Sequence, residues 1–159
     1  MKANWIARFA CAAALVCAAS AVSAQAAQPI ELKGDVKVDK LVVENGKEKH
    51  VYSDPRVVVP GDKLVFSTTY RNTGSAPVKD FVVTNPVPAA VMLAPDTAEA
   101  LTVSVDGGRS WGKLAALRVS DGKGGTRPAE ASDVTHLRWV LAQVAPGAAG
   151  TLSYNAIVR

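Results

Sequence analysis

Cysteine and histidine are scarce in this chain of 159 residues, with two of each. Both cysteines, Cys11 and Cys17, fall within the first 24 residues, and the histidines, His50 and His136, are far apart. Neither histidine has a partner at the short spacing that marks a metal-binding pair. The sequence therefore argues against a zinc site, and a disulfide is excluded once the first 24 residues are removed.

Removal of those residues is expected from their pattern. Lys2 and Arg8 give a positive start without any acid, and the run from Phe9 to Val22 is apolar but shorter than a membrane span. Small residues follow it, as signal peptidases require. We expect a signal peptide at residues 1–24, cleaved after Ala24 or alternatively after Ala26. The product would then be periplasmic or extracellular.

The remaining chain is only weakly basic. Taking Lys2 and Arg8 from the 18 bases leaves 16 against 14 acids, a net charge of +2. So small an excess does not favour a nucleic-acid partner. No later apolar stretch has the length of a transmembrane helix, so we expect no integral membrane segment after cleavage. The remaining chain is long enough for one domain.

Short apolar or alternating runs, separated by glycine, proline, asparagine and aspartate, fill residues 36–159. This pattern predicts an all-β antiparallel sandwich of about 7–9 strands, preceded by a flexible segment at residues 25–35. A single helical turn at Pro95–Ala100 would join the two sheets, and Asp121–Ala131 would be a mobile surface loop. The predicted strands are Val36–Val43, His50–Val59, Lys63–Arg71, Val78–Asn85, Leu101–Asp106, Lys113–Val119, Thr135–Leu141 and Thr151–Val158.

Alternation of apolar and polar residues assigns a face to each side chain in three of these strands. His136 and Arg138 should point outward, which makes His136 a surface residue of its strand. The residues expected to face the core are Leu64, Phe66, Thr68, Tyr70, Leu137, Trp139, Leu141, Leu152, Tyr154, Ala156 and Val158.

Several stretches combine turn residues with short apolar runs. They are Val59-Pro60-Gly61-Asp62-Lys63-Leu64-Val65-Phe66, Asn72-Thr73-Gly74-Ser75-Ala76-Pro77-Val78, Val82-Val83-Thr84-Asn85-Pro86-Val87-Pro88-Ala89, Ala145-Pro146-Gly147, Thr151-Leu152-Ser153-Tyr154 and Ala156-Ile157-Val158. In these stretches the chain resembles the prokaryotic "conserved repeat domain" of unknown function, here in a single copy. That resemblance implies an immunoglobulin-like sandwich of exported and cell-surface proteins, without catalytic residues.

A second, shorter motif runs from Ser104 to Trp111. Its sequence, Ser-Val-Asp-Gly-Gly-Arg-Ser-Trp, is similar to the Asp-box, in which an aspartate and a serine brace a hairpin turn and a tryptophan packs beneath it. The motif is structural where it occurs in sialidase propellers. Because a propeller needs several four-stranded blades, this chain is too short to be one.

The remaining polar residues do not form a catalytic pattern. Ser104, Ser110 and Ser132 lack the Gly-x-Ser-x-Gly context of a nucleophile elbow. The aspartates lie in expected turns, where a carboxylate normally accepts backbone N–H groups, and no Asp-x-Asp spacing suggests calcium. We predict no catalytic, metal-binding or cofactor-binding residue, no cofactor, and hence no enzyme.

These observations lead to an exported, non-catalytic immunoglobulin-like module that acts by contact with an unidentified protein in the cell envelope or outside the cell. The alternative is a carbohydrate-binding module with Trp111 and Tyr52 as exposed stacking platforms. The exposure of Trp111 distinguishes the two hypotheses, because a glycan can stack only on a free ring face.

Overall fold

The computed structural model describes residues 29–159. The predicted signal peptide at residues 1–24 and both of its cleavage sites lie outside the described residues. None of the helices in the described part is long and apolar enough to cross a membrane.

Ten strands and one α-helix make up the regular structure of residues 29–159, together with short 3-10 turns at Leu114–Ala116 and Ala131–Asp133. All strand pairings are antiparallel, as predicted. The elements are β1 (Ile30–Glu44), β2 (Lys47–Ser53), β3 (Lys63–Asn72), β4 (Val78–Pro86), β5 (Val91–Leu93), α1 (Pro95–Ala100), β6 (Thr102–Ser104), β7 (Arg118–Ser120), β8 (Thr126–Pro128), β9 (His136–Val144) and β10 (Ala149–Val158).

Two sheets form the sandwich. The first has five strands in the order β2-β1-β3-β10-β5, and the second has three in the order β4-β9-β6. β7 and β8 form a separate hairpin. The core is shared by side chains from both sheets and from α1, which confirms the predicted all-β sandwich. Its buried members are Val38, Leu64, Val91, Leu93, Ala98, Val103, Leu114, Ala129, Val134, Leu137, Tyr154 and Ala156.

The predicted inward faces are confirmed where the sheets meet. Leu64, Tyr154 and Ala156 are buried, and Trp139 packs against the core. Phe66 lies directly opposite Tyr154 on the neighbouring strand, and the two rings stack with centroids 4.8 Å apart. Such a cross-strand aromatic pair stabilises the sheet from its inner side.

The helix is also where the sequence placed it. α1 spans Pro95–Ala100 and connects β5 of the five-stranded sheet to β6 of the three-stranded sheet. Pro95 begins it because proline needs no hydrogen-bond acceptor at the first helical position. Ala98 is fully buried and faces the core.

Several predicted boundaries need correction. β1 begins at Ile30, so residues 30–35, expected in a flexible segment, pair with β3. β2 ends at Ser53, because Pro55 cannot donate a ladder hydrogen bond. The predicted strand Lys113–Val119 is a 3-10 turn followed by β7. The predicted mobile loop contains β8, which pairs with β7.

The strand count of ten exceeds the predicted 7–9 for a simple reason. β5 and β8 have three residues each, too few for an alternating pattern to be recognised. β5 exists because it pairs with β10, and β8 because it pairs with β7. The β5–β10 pairing joins segments that are far apart in the sequence, whereas β7 and β8 are joined by a five-residue turn at residues 121–125.

Candidate functional site

The Asp-box-like motif folds into a closed turn at the end of β6. The Asp106 carboxylate accepts the backbone N–H groups of Arg109 and Ser110 at 3.0 and 2.9 Å and the Ser110 hydroxyl at 2.6 Å. The buried Ser104 hydroxyl donates to Asp106 at 2.7 Å and accepts the Gly108 N–H at 2.9 Å. The bracing by aspartate and serine that the motif implies is therefore present.

Glycine is required at two positions of this turn. Gly107 and Gly108 have φ angles of +77° and +87°, in the left-handed region that other residues rarely adopt. Beyond the turn, Gly112 exchanges two backbone hydrogen bonds with Val103 of β6. The segment between Gly108 and Gly112 is therefore fixed at both ends, and this fixes the position of Trp111 within it.

Trp111 is half-buried, with its ring folded over the outer face of the three-stranded sheet. Its indole N–H donates to the Gly108 carbonyl at 3.0 Å. The guanidinium of Arg138 lies over the ring, 4.6 Å from its centroid, and the ring of His136 packs edge-on at 6.4 Å. One face of the indole is therefore already occupied by protein.

His136 consequently differs from the surface residue that alternation predicted. It is half-buried beneath the motif, and its Nδ1 lies 3.1 Å from the Thr135 hydroxyl. The same hydroxyl accepts the Gly107 N–H and donates to the Ser104 carbonyl. The outward direction on β9 is correct, but the turn covers this part of the outer face.

The hydrogen bonds around Asp106 also set its acidity. The Ser110 hydroxyl, then the Ser110 backbone N–H and the Ser104 hydroxyl, hold the pKa of Asp106 well below its ordinary value of 3.8. A lowered pKa in the folded state means that the charged form stabilises the fold above the ordinary value. That stabilisation is lost as the pH falls through the folded-state pKa.

Asp106→Asn should therefore destabilise the protein at neutral pH, because a neutral amide cannot accept the same charge-assisted hydrogen bonds. The gap in urea midpoint between wild type and variant should be full at pH 7 and should narrow below pH 3.8. Urea melts followed by tryptophan fluorescence measure it. Ser110→Ala, which removes the largest cause of the shift, should weaken the pH dependence of wild type. If the difference in urea midpoint between wild type and Asp106→Asn were the same at pH 7 and below pH 3.8, this explanation would be wrong.

Sequence reasoning missed Arg138. Its Nε is buried without a hydrogen-bond partner, and no described acid lies within ion-pair distance of it. Thr84 of β4 and Thr102 of β6 lie directly opposite it on either side. Alternation placed Arg138 outward, but nothing in the sequence showed that the tryptophan ring would hold its side chain in place.

A second notable surface is the exposed segment, residues 40–61, in which every residue is exposed. The exposed segment begins just after Asp39, the last residue of β1 that pairs with β3. Beyond Asp39, β1 pairs only with β2, and the two strands continue as a two-stranded ribbon as far as Glu44 and Lys47. The ribbon closes at Asn45-Gly46, whose φ angles of +53° and +74° fit the tight hairpin turn that this dipeptide favours. After β2 the chain continues to Gly61 without regular structure.

The two histidines and Ser132 do not form a common site. His50 lies on β2 and contacts Asp39 at 2.7 Å, whereas His136 lies on the other sheet. Ser132 is in a 3-10 turn. In residues 29–159 no group of three or more histidine, cysteine, aspartate or glutamate side chains is arranged to hold a metal ion. The absence of an enzymatic activity stays a prediction.

Comparison of the chain with protein-family models, curated proteins and solved structures gives no match.

Proposed function

We propose that this chain is an exported, non-catalytic immunoglobulin-like module of the cell envelope or extracellular space that acts by binding another protein. The observation that carries the proposal is the concentration of exposed apolar side chains on the exposed segment. Of the eleven large hydrophobic residues that are exposed in the described chain, eight lie on it. They are Leu41, Val42, Val43, Val51, Tyr52, Val57, Val58 and Val59.

The shape of the ribbon supports a contact role. β3 begins at Lys63, opposite Asp39, so the ribbon beyond Asp39 has no β3 alongside it and both of its faces are open. The outer edge of β2 is unpaired among the described strands. Exposed apolar surface of this kind on a small domain marks an interaction site. Around it lie charged side chains such as Lys47, Glu48 and Lys49, as in the polar rim of protein interfaces.

The carbohydrate-binding alternative receives no comparable support. Tyr52 lies on β2 of the five-stranded sheet, whereas Trp111 lies in the segment after β6, and Arg138 of the three-stranded sheet occupies one face of its ring. Tyr52 is 57% exposed and stacks on His50, with ring centroids 6.3 Å apart. On the ribbon, its ring adds to the apolar surface that a protein partner would cover.

Export is supported by the signal-peptide pattern and by the resemblance to exported sandwich domains. The test uses the full chain with a photoreactive residue in place of Val43, expressed in the source organism. We expect an exported product that begins at Gln25 or Ala27 and crosslinks to a partner of defined mass. Mass spectrometry gives both results.

Two substitutions make the crosslinking specific. Leu41→Ser, on the same face of the ribbon, should reduce the crosslinked product strongly because it removes apolar contact area. Leu32→Ser, an exposed leucine on the same strand but outside the ribbon, should leave it unchanged. A product that keeps Met1, or a crosslinking yield that Leu41→Ser does not alter, would refute the corresponding part of the proposal.

A further inference from the structure

The outer face of the three-stranded sheet carries a second candidate site, separate from the exposed segment. Its centre is Arg138, on the middle strand β9. The guanidinium lies against the Trp111 ring, and it forms no hydrogen bond or ion pair with any described residue. An arginine whose guanidinium packs over an aromatic ring is oriented before a ligand arrives, so less side-chain entropy is lost on binding.

Two threonines flank Arg138 on the neighbouring strands. Thr84 and Thr102 are its direct cross-strand neighbours, at the distance where opposite side chains interact. Their hydroxyl groups make no hydrogen bond to described residues, so they are free to serve a ligand together with the arginine. The Asp106 carboxylate accepts hydrogen bonds from Ser104, Ser110 and backbone N–H groups, and it forms no ion pair with Arg138.

Apolar surface continues from this polar group along the strands. Val82 and Val140 lie opposite each other, two positions from Thr84 and Arg138 and therefore on the same face. They are 46% and 60% exposed. Together with the exposed segment they account for all but Leu32 of the exposed large hydrophobic residues in the described chain.

We propose that this face binds a protein partner through an acidic side chain of the partner. Arg138 would bind the carboxylate, and apolar residues of the partner on either side of the acidic residue would cover Val82 and Val140. The fixed fork of a guanidinium matches a carboxylate, which can accept two parallel hydrogen bonds from it. The face is the open side of a sheet rather than a cleft, which suits a protein better than a small molecule. Tryptophan and arginine are also the residues that most often dominate binding energy at protein interfaces.

The site is independent of the exposed segment. It lies on the other sheet and shares no residue with residues 40–61. The two proposals can therefore fail separately: loss of crosslinking from position 43 says nothing about Arg138, and the experiment below does not involve the ribbon.

The experiment is an NMR titration of the mature protein at constant ionic strength. The probes are the capped tripeptide acetyl-Val-Glu-Val-amide and its glutamine counterpart. The glutamate peptide should produce saturable shifts of the Arg138 Nε–H and Trp111 Nε1–H signals. The glutamine peptide should bind at least about tenfold more weakly, because it lacks the charge-assisted hydrogen bonds.

Variants localise the effect. Arg138→Gln should abolish the saturable binding, and Arg138→Lys, which keeps the charge but loses the fork, should weaken it about tenfold. Arg71→Gln, an exposed arginine on the other sheet, should bind as wild type does. The comparison of the two peptides on wild-type protein needs no variant, so a folding defect in an Arg138 variant does not spoil the test.

Three results would overturn the proposal. The first is an absence of saturable shifts with the glutamate peptide, and the second is equal binding of the glutamate and glutamine peptides. The third is binding of free glucuronate as tightly as the glutamate peptide, because the site would then recognise a carboxylate without a peptide and a sugar acid would be an equal source.

Discussion

Asn72→Ala should lower the free energy of unfolding by about 2–4 kcal/mol, because it leaves several buried polar groups without partners. The Asn72 side chain is fully buried at the end of β3. Its amide donates to the carbonyls of Ala76 and Val144, both at 2.9 Å, and its oxygen accepts the Gly74 N–H at 2.9 Å. One side chain therefore closes a turn and ties the end of β9 to the other sheet.

Two further variants distinguish the hydrogen-bonding role of Asn72 from a role in packing alone. Asn72→Asp keeps the acceptor for Gly74 but places oxygen against two carbonyls, so it should destabilise as well. Asn155→Ala, an exposed asparagine on β10, should change stability by no more than about 0.5 kcal/mol. Urea melts of the mature protein measure all three variants. A mild Asn72→Ala would mean that water replaces the lost amide at this position.

Asn72 also shows what sequence can and cannot predict here. Its hydrogen bond to Gly74 is local, because an asparagine in a turn commonly bonds the backbone two residues on. The bond to Val144 joins residues that are far apart in the sequence. No local pattern contains that information, since it depends on how the two sheets meet.

Other parts of the fold also divide into features set by local sequence and features set by the pairing of distant segments. Inward faces on β3, β9 and β10 follow from period-two alternation, which is a local property of extended chain. The projection of the β1–β2 ribbon does not follow from alternation, because it depends on β3 beginning only at Lys63, opposite Asp39, while β1 continues to Glu44. The sequence therefore could not show that most of the exposed large hydrophobic residues lie together on residues 40–61.

The candidate sites also differ in whether local sequence or the pairing of distant strands determines them. The bracing of Asp106 by Ser104 and Ser110 is encoded within a few residues, so a motif could reveal it. The stacking of Arg138 on Trp111 joins β9 to a turn that follows β6. It requires the pairing of those strands, which the sequence left open.

Leu137→Ala should be the most damaging single truncation on β9, with a loss of about 3–5 kcal/mol. Leu137 is fully buried in the shared core and lies opposite Val103 on β6, also fully buried. Truncation at a site enclosed by two strands and the facing sheet leaves a cavity that the surroundings cannot fill. Small domains have about 5–15 kcal/mol of stability in total, so the variant should show a markedly lower urea midpoint.

Val140→Thr is the matched control, because Val140 is on the same strand but points to the outer face and is 60% exposed. It should change the free energy of unfolding by less than about 0.5 kcal/mol. Urea melts of the two variants together test the register of β9, since a slip by one residue would exchange the inner and outer faces. If Val140→Thr were damaging and Leu137→Ala mild, the strand would face the opposite way. The outward position of Arg138, and with it the proposed acidic-partner site, would then be lost.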